Sequence, residues 1–452
     1  MSVLSRFGRV GYMAGALCSA SLLGLSTAQA NMGNIASTYG VLPQDLASAQ
    51  ALSLFNPQVS ATYYNPAYLA RDPRGELTVG LFHAEHELRL ESLGGPDPVI
   101  REGGDVLEDS PSQHLLIGMK TDLTSLTQYN RPIYLGFMAG VEKYGREMLA
   151  FESTTSTEGQ FFNYGRQPLF LNLGGAMNLW RGIDVGLTAR VTLHADATLR
   201  TWTNLEGETS HETLAVEAKP VLRPIAGINV RWGETVCAQT DCWLDNLETA
   251  VAYRGYSNTR TKVDAFATIP GVVGGIGLPL SIQTLDSFQP EIVAVGAMYQ
   301  WGRARLGVTG EWQRWSRLEK ELEGDTIKDQ ANLRFRDIVI PRVGAEVRLN
   351  DLLTVTGGLA WEKSPLESDR SLDVNYLDND RLIIGLGLSA EFRDPPVLAF
   401  PLRVDIGYQY HHLRDREFDL TSSQQDDPDV PYERVRSDGD VHAIAGSITL
   451  KF

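Results

Sequence analysis

Past residue 30, this 452-residue chain contains no apolar run of about eighteen residues, so no helical membrane span is expected there. It has no basic excess either. Lys+Arg number 40 against 56 Asp+Glu, and the formal charge of −16 argues against a nucleic-acid partner, which needs cationic patches to displace counterions. G-x-S-x-G, H-E-x-x-H and C-x-x-C are all missing, so the sequence points to no enzyme and implies no cofactor, nucleotide or metal. Cysteine is scarce: three residues, Cys18, Cys237 and Cys242. Hydrophobic content of 43% nonetheless excludes wholesale disorder. The mean hydropathy of −0.17 is compatible with a transmembrane β-barrel, whose alternating strands average to a modest value.

The first thirty residues read as an export address. Arg6 and Arg9 precede an apolar, small-residue stretch, and Ala28-Gln29-Ala30 has the form of a cleavage site. Residues 1–30 are therefore expected to be a signal peptide. In an exported protein, Cys237 and Cys242 then read as a disulfide that closes a short polar loop and stiffens one turn.

Residues 31–74 contain small residues, turn formers and no sustained period, with room for a short helix between Leu46 and Leu54. After Gly75 the pattern has period two. Within 183–195 one parity reads Ile183, Val185, Leu187, Ala189, Val191, Leu193, and the other Asp184, Gly186, Thr188, Arg190, Thr192, His194. One face suits lipid and the other a polar lumen. About fourteen strands follow, near 75–92, 112–122, 131–144, 167–180, 183–203, 211–232, 246–266, 281–301, 303–320, 332–348, 351–363, 379–393, 400–416 and 440–452. Short links alternate with long ones, as short periplasmic turns alternate with long external loops in outer-membrane barrels. The expected fold is all-β: a transmembrane antiparallel β-barrel spanning 75–452, in the outer membrane of a Gram-negative bacterium. An even strand count puts both barrel ends, and the turn with Cys237 and Cys242, on the periplasmic side. Trp180, Tyr299, Trp301, Trp315 and Trp361 fall near strand ends, where aromatic girdles sit. The last strand alternates back from Phe452 through Leu450, Ile448 and Gly446, which resembles the C-terminal signal read by barrel-assembly machinery.

Ser60-Ala61-Thr62-Tyr63-Tyr64-Asn65-Pro66-Ala67, placed just before the first barrel strand, resembles the FadL/TodX family of outer-membrane transporters for long-chain fatty acids and aromatic hydrocarbons. Gln289-Pro290-Glu291, leading into 293–301, is similar to the family's entry to its eighth strand. The resemblance implies a fourteen-stranded barrel plugged by an N-terminal hatch, here 31–74, with the hatch motif on Asn65, Pro66 and Ala67. It also implies sideways release at a bend in the third strand, for which Gly136 and Gly140 are the candidates.

The uncharged run from Ile269 to Leu280 stands out as an exposed apolar loop, which marks a binding surface. Val272, Val273, Ile276 and Leu278 are its candidate capture residues. Its glycines form no dinucleotide fingerprint, since no βαβ unit surrounds them. Arg190 and Arg223 are the lumenal candidates for a fatty-acid carboxylate, while the mixed charges around them are expected mainly to pair and pin the plug. Residues 97–109 and 417–440 are acidic, and solvation or divalent bridging to lipopolysaccharide phosphates accounts for them. The reading is of a monomer that takes up hydrophobic small molecules such as fatty acids or hydrocarbons. Its rivals are a diffusion porin for polar solutes and a surface-binding barrel such as an adhesin or phage receptor.

Overall fold

The computed structural model describes residues 35–96, 111–128, 131–143, 169–203, 209–237, 242–268, 278–323, 333–372, 377–422, 427 and 429–452. Strands β1 (Glu76–Gly94), β2 (Ser112–Asp122), β3 (Ile133–Lys143), β4 (Leu169–Trp180), β5 (Ile183–Thr203) and β6 (Thr209–Arg231) follow one another around the wall. β7 (Leu247–Arg254) and β8 (Ser257–Thr268) are one stave broken at Gly255 and Tyr256, and β9 (Leu278–Gln289) and β10 (Glu291–Trp301) are one broken at Pro290. Next come β11 (Ala304–Arg314), β12 (Ile338–Arg348) and β13 (Leu353–Glu362). β14 (Arg370–Leu372) is a short piece paired in parallel with the outer end of β16 (Leu402–Thr421). β15 (Arg381–Phe392) and β17 (Glu433–Lys451) complete the wall. With the two broken staves each counted once and β14 set aside, the wall has fourteen strands, and β17 closes it against β1 from Glu76 opposite Lys451 to Gly94 opposite Arg434.

The alternation forecast from sequence is the mechanism of the wall. On β1, Thr78, Phe82 and Ala84 point inward and are buried, while Leu77, Val79 and Leu81 point outward and are exposed. Beyond Leu81 the outward positions become His83, Glu85, Glu87, Arg89 and Glu91. The lipid band therefore ends near His83, and roughly 35 Å of strand continues above it. Trp180 and Trp301 are exposed at the turn ends, as girdle residues should be. Trp315 is different: it is buried, and its indole Nε1 donates to Gln313 Oε1 at 2.7 Å. The expected strand over 303–320 ends at Arg314, and Ser316–Glu323 is a helix. Leu318 and Leu322, one helical turn apart, are its buried face.

Residues 35–71 form short helices and turns inside the barrel, and nearly every residue there is buried. So irregular a segment leaves many backbone carbonyls without partners, and wall side chains supply them. Gln409 Nε2 donates to Leu46 O at 3.0 Å, Arg342 Nη1 to Ala49 O at 3.0 Å, and Thr309 Oγ1 to Ala51 O at 2.8 Å. Ala49 and Gln50 have left-handed backbones (φ 47° and 63°), which turn the chain sharply between these contacts.

The wall makes room for the plug with glycine. Gly307, Gly344, Gly358 and Gly385 stand in direct register on β11, β12, β13 and β15. A Cβ on Gly358 would overlap the Ser48 carbonyl, and one on Gly385 the carbonyls of Leu46 and Ala47. Gly186 and Gly227, register partners on β5 and β6, admit Pro66–Ala67 and Asn65 in the same way.

Candidate functional site

The lumen is divided by polarity. Its outer half holds a buried cluster of apolar side chains from β1, β9, β12, β13, β15, β16 and β17, the outer connections and the plug. Phe82, Leu88 and Leu90 come from β1, Leu413, Phe418 and Leu420 from β16, and Val435 and Val441 from β17. Leu318 and Leu322 of the 316–323 helix, Trp315, Phe335, Leu366 and Leu377 close in from the outer connections, and Leu285 and Phe288 from β9. Phe288 and Trp315 lie 5.9 Å apart between ring centroids. The floor is the plug: Ile35, Tyr39 and Leu46. Tyr39 packs on Phe82 at 5.1 Å and on His411 at 5.0 Å, and its hydroxyl meets His86 Nε2 at 2.8 Å.

Below this cluster lie further buried ion pairs. Arg254 is fully buried, pairs with Glu311, and lies 5.1 Å and 5.5 Å from the rings of Tyr63 and Tyr64. Arg342 reaches the same Glu311 at 3.9 Å. Deeper still, Arg305 binds Glu346 at 2.8 Å and the Phe55 carbonyl at 3.3 Å, and Gln44 also donates to Glu346. Lys120 Nζ donates to the carbonyls of Pro57 and Asp72 at 2.9 and 3.1 Å. Arg71 pairs with Glu248, and Arg74 with Glu391 at 2.9 Å. These contacts fasten the middle and the C-terminal end of the plug to the wall. Burial opposes the charge of Asp72, but Arg74, Lys451 and Lys120 outweigh it and hold the carboxyl well below the usual carboxylate range. At the centre of the plug, burial pushes Asp45 up to about 6, against hydrogen bonds from Asn56, Ser53, the Leu42 amide and Ser60.

The hatch motif lies where the plug meets β5 and β6. Asn65 Nδ2 donates to Leu54 O at 3.0 Å, and the Asn65 amide to Ala61 O at 3.0 Å, so its side chain ties two turns of the plug together. Arg190 and Arg223 are register partners on β5 and β6. Arg190 Nη1 donates to Gln289 Oε1 at 3.1 Å and its guanidinium lies 5.2 Å from the Tyr63 ring. Arg223 lies 4.5 Å from the Tyr256 ring and donates to Asn258 Oδ1 at 3.4 Å. Arg190 contacts both the plug and the end of β9, and Arg223 the start of β8. Val272, Val273 and Ile276 lie outside the described residues, while Leu278 opens β9. Cys237 and Cys242 form a disulfide beside the Trp232–Val236 turn, between β6 and β7.

Gly136 and Gly140, the candidate bend points, both lie within β3. The strand pairs with β2 and with β4 without a register shift. These glycines provide space: a Cβ at Gly136 would meet Thr62 at 2.7 Å and Leu69 at 3.0 Å, and one at Gly140 would meet Phe170. Sequence reading also missed the apolar cluster. The i, i+4 spacing of Leu318 and Leu322 was the available signal for its helix, and glycines recurring at one parity were the signal for the plug's seat.

The geometry is matched in known proteins. The chain is 51% identical over 429 residues to alkane uptake protein A of Marinobacter nauticus, covering 94% of this chain and 92% of that one. Among solved structures, a Pseudomonas aeruginosa FadL homologue superposes with a TM-score of 0.60 at 15% identity, over 91% of this chain and 98% of that one. The toluene transporter TodX of P. putida does so with a TM-score of 0.54 at 11% identity, over 92% of this chain and 99% of that one. A sequence profile of the outer membrane protein transport proteins (OMPP1/FadL/TodX) matches residues 172–452. The chain therefore belongs to the OMPP1/FadL/TodX family of outer-membrane transport proteins, and its fourteen-stranded barrel is an outer-membrane channel for hydrophobic compounds.

Proposed function

We propose that this chain carries alkanes across the outer membrane and that the apolar outer cluster opens to form a chamber that is their first site inside the barrel. The observation that carries the reading is the apolar cluster above the plug, which shares its level with one buried ionic group, Arg381 with Asp378 and Glu362, while the ion pairs of Arg254 and Arg305 lie beside and below it. Removing a hydrocarbon from water is worth about 0.8 kcal/mol per methylene, so such a chamber concentrates alkanes while the ionic layer repels them. The 51% identity to an alkane uptake protein supports this substrate class over fatty acids. In this reading capture begins outside, on the apolar run containing Val272, Val273, Ile276 and Leu278. The Asn65-Pro66-Ala67 hatch then rearranges, and exit is through the wall. Arg190 and Arg223 frame the passage. The process is passive and needs no catalytic step. The barrel acts as a monomer, its outer loops contact lipopolysaccharide, and the exposed Phe452 is offered to the assembly machinery.

The test is uptake of radiolabelled hexadecane by cells deleted for the gene and then complemented, with labelled palmitate in parallel. Restored hexadecane uptake with palmitate unchanged is the expected result. Restoration of palmitate alone would reverse the substrate assignment, and ion conductance without either uptake would favour the porin.

A further inference from the structure

Arg190 and Arg223 stand apart from the other lumenal arginines. Arg254, Arg342, Arg305, Arg403 and Arg381 each face a carboxylate: Glu311 for the first two, then Glu346, Asp405 and Asp378. Among the described residues, no carboxylate pairs with Arg190 or Arg223. Their partners are neutral, Gln289 and the Tyr63 ring for one, Asn258 and the Tyr256 ring for the other. Yet the two stand directly opposite each other on β5 and β6. Like charges in that position repel, and a cation withdrawn from water needs an opposite charge nearby.

The neighbouring strand adds a second observation. Asn172 of β4 is the register partner of Arg190 on its other side. It is fully buried, and neither its Nδ2 nor its Oδ1 has a hydrogen-bond partner. Thr188 Oγ1 and Thr192 Oγ1, on the same face of β5 as Arg190, are buried without partners as well, and so are the Nε atoms of Arg190 and Arg223. Met138, opposite Asn172 on β3, and Phe170 are buried on the far side of the amide. Three adjacent strands thus bring unused donors and two uncompensated cations to one height of the wall. A buried amide rarely forgoes all its hydrogen bonds, and a bound ion or water is the usual reason when its protein neighbours offer none.

We propose that a small monovalent anion of the halide kind binds between Asn172 and the Arg190–Arg223 pair, with the hydroxyls of Thr188 and Thr192 beside it. The chemistry selects its sign and size. The guanidinium, amide and hydroxyl groups all donate, and the two arginines repel a metal cation. The apolar flank of Met138 and Phe170 suits a weakly hydrated ion. A water kept by that ion would serve Asn172 Oδ1. The anion screens the two arginines from each other. It also steadies the plug, because Arg190 and the Tyr63 hydroxyl donate to the same Gln289 Oε1, at 3.1 and 3.3 Å.

The assignment does not depend on which compound the barrel carries. The purified full-length barrel in chloride-free detergent buffer is titrated with sodium chloride and followed by chlorine NMR line width. Saturable broadening is expected, with bromide competing. Asn172→Leu with Thr192→Val keeps every charge and should weaken chloride binding at least tenfold. Crystals of the unaltered chain moved into sodium bromide should show an anomalous bromine peak beside Asn172 Nδ2, which decides the matter if the double variant fails to fold. Absence of saturable broadening overturns the proposal, and a bromine peak without it is an adventitious ion only. Equal affinity in the variant, or bromine bound elsewhere alone, refutes the site. Acetate displacing chloride at a tenfold lower concentration would overturn the halide and give the site to a ligand's carboxylate.

Discussion

Replacing Gly358 by alanine is the sharpest test of how the plug is seated. In an ordinary strand the change is mildly favourable, by roughly 0.5–1 kcal/mol, because alanine loses less backbone freedom. Here the new methyl would overlap the Ser48 carbonyl, which belongs to the plug's backbone and has no rotamer by which to retreat. Overpacking of this kind costs typically about 1–3 kcal/mol, and the strain falls on the contact between plug and wall, since β13 is held on both sides by unbroken ladders. Taking about 2 kcal/mol, the displaced-plug population rises roughly thirtyfold. Gly446→Ala is the matched control: it is also a wall glycine, but a Cβ there meets nothing within 4 Å. Planar-bilayer recordings should show more frequent ion-conducting openings for Gly358→Ala than for Gly446→Ala, and protease should cut residues 35–71 faster in the former. Both barrels should keep their heat-modifiable mobility. Equal conductance in the two variants would refute the claim that the glycine row seats the plug.

Arg254→Met should destabilise the barrel by about 3–5 kcal/mol, since it leaves Glu311 buried without its closest cation; thermal unfolding in detergent measures this, and pairing it with Glu311→Leu should recover part of the loss. The Asp45 carboxyl is raised from 3.8 to about 6 in the folded state, so the native form binds the proton more tightly. Plug docking is then strongest near pH 4 and weakens as pH rises to about 6, by about 3 kcal/mol in all. Asp45→Asn should abolish that dependence in a pH series of proteolysis, and an unchanged profile would contradict it. Leu318→Asp places a charge in the outer chamber and should reduce hexadecane uptake at least tenfold, with normal amounts of barrel in the outer membrane. Uptake at the parental rate would exclude the chamber from the path.

The strands were legible because a barrel wall imposes one rule on every residue, lipid outside and lumen inside, and a period of two records it directly. The forecast of 183–203 matches β5 at both ends, and 112–122 matches β2. The last strand was read too short because above the bilayer both its faces meet polar surroundings or loops: Arg434, Arg436 and Asp438 hide the alternation that Val435 and Val441 continue. The helix at Ser316–Glu323 directly follows β11, and the strand expected over 303–320 covers its start; Trp315 was expected in the girdle. In space it turns inward to the chamber. The chamber itself was illegible for a different reason: its members come from separate strands, two outer connections and the plug, and none is marked within its own segment. Arg190 and Arg223 were visible as lumenal cations, but their partners, Gln289 and Tyr256, lie far along the chain and appear only once the strands are in register.

The seam between β1 and β17 joins the two ends of the wall, and the plug enclosed by it is the segment just upstream of β1. It fits glycines on β5 and β6 as well as on β11 through β16, and its cationic tethers come from β2, β11, β12 and β16. The segment just before the first strand therefore completes its contacts only when the last strands are in place. The plug and the closed wall are finished together, each supplying the other's missing partners.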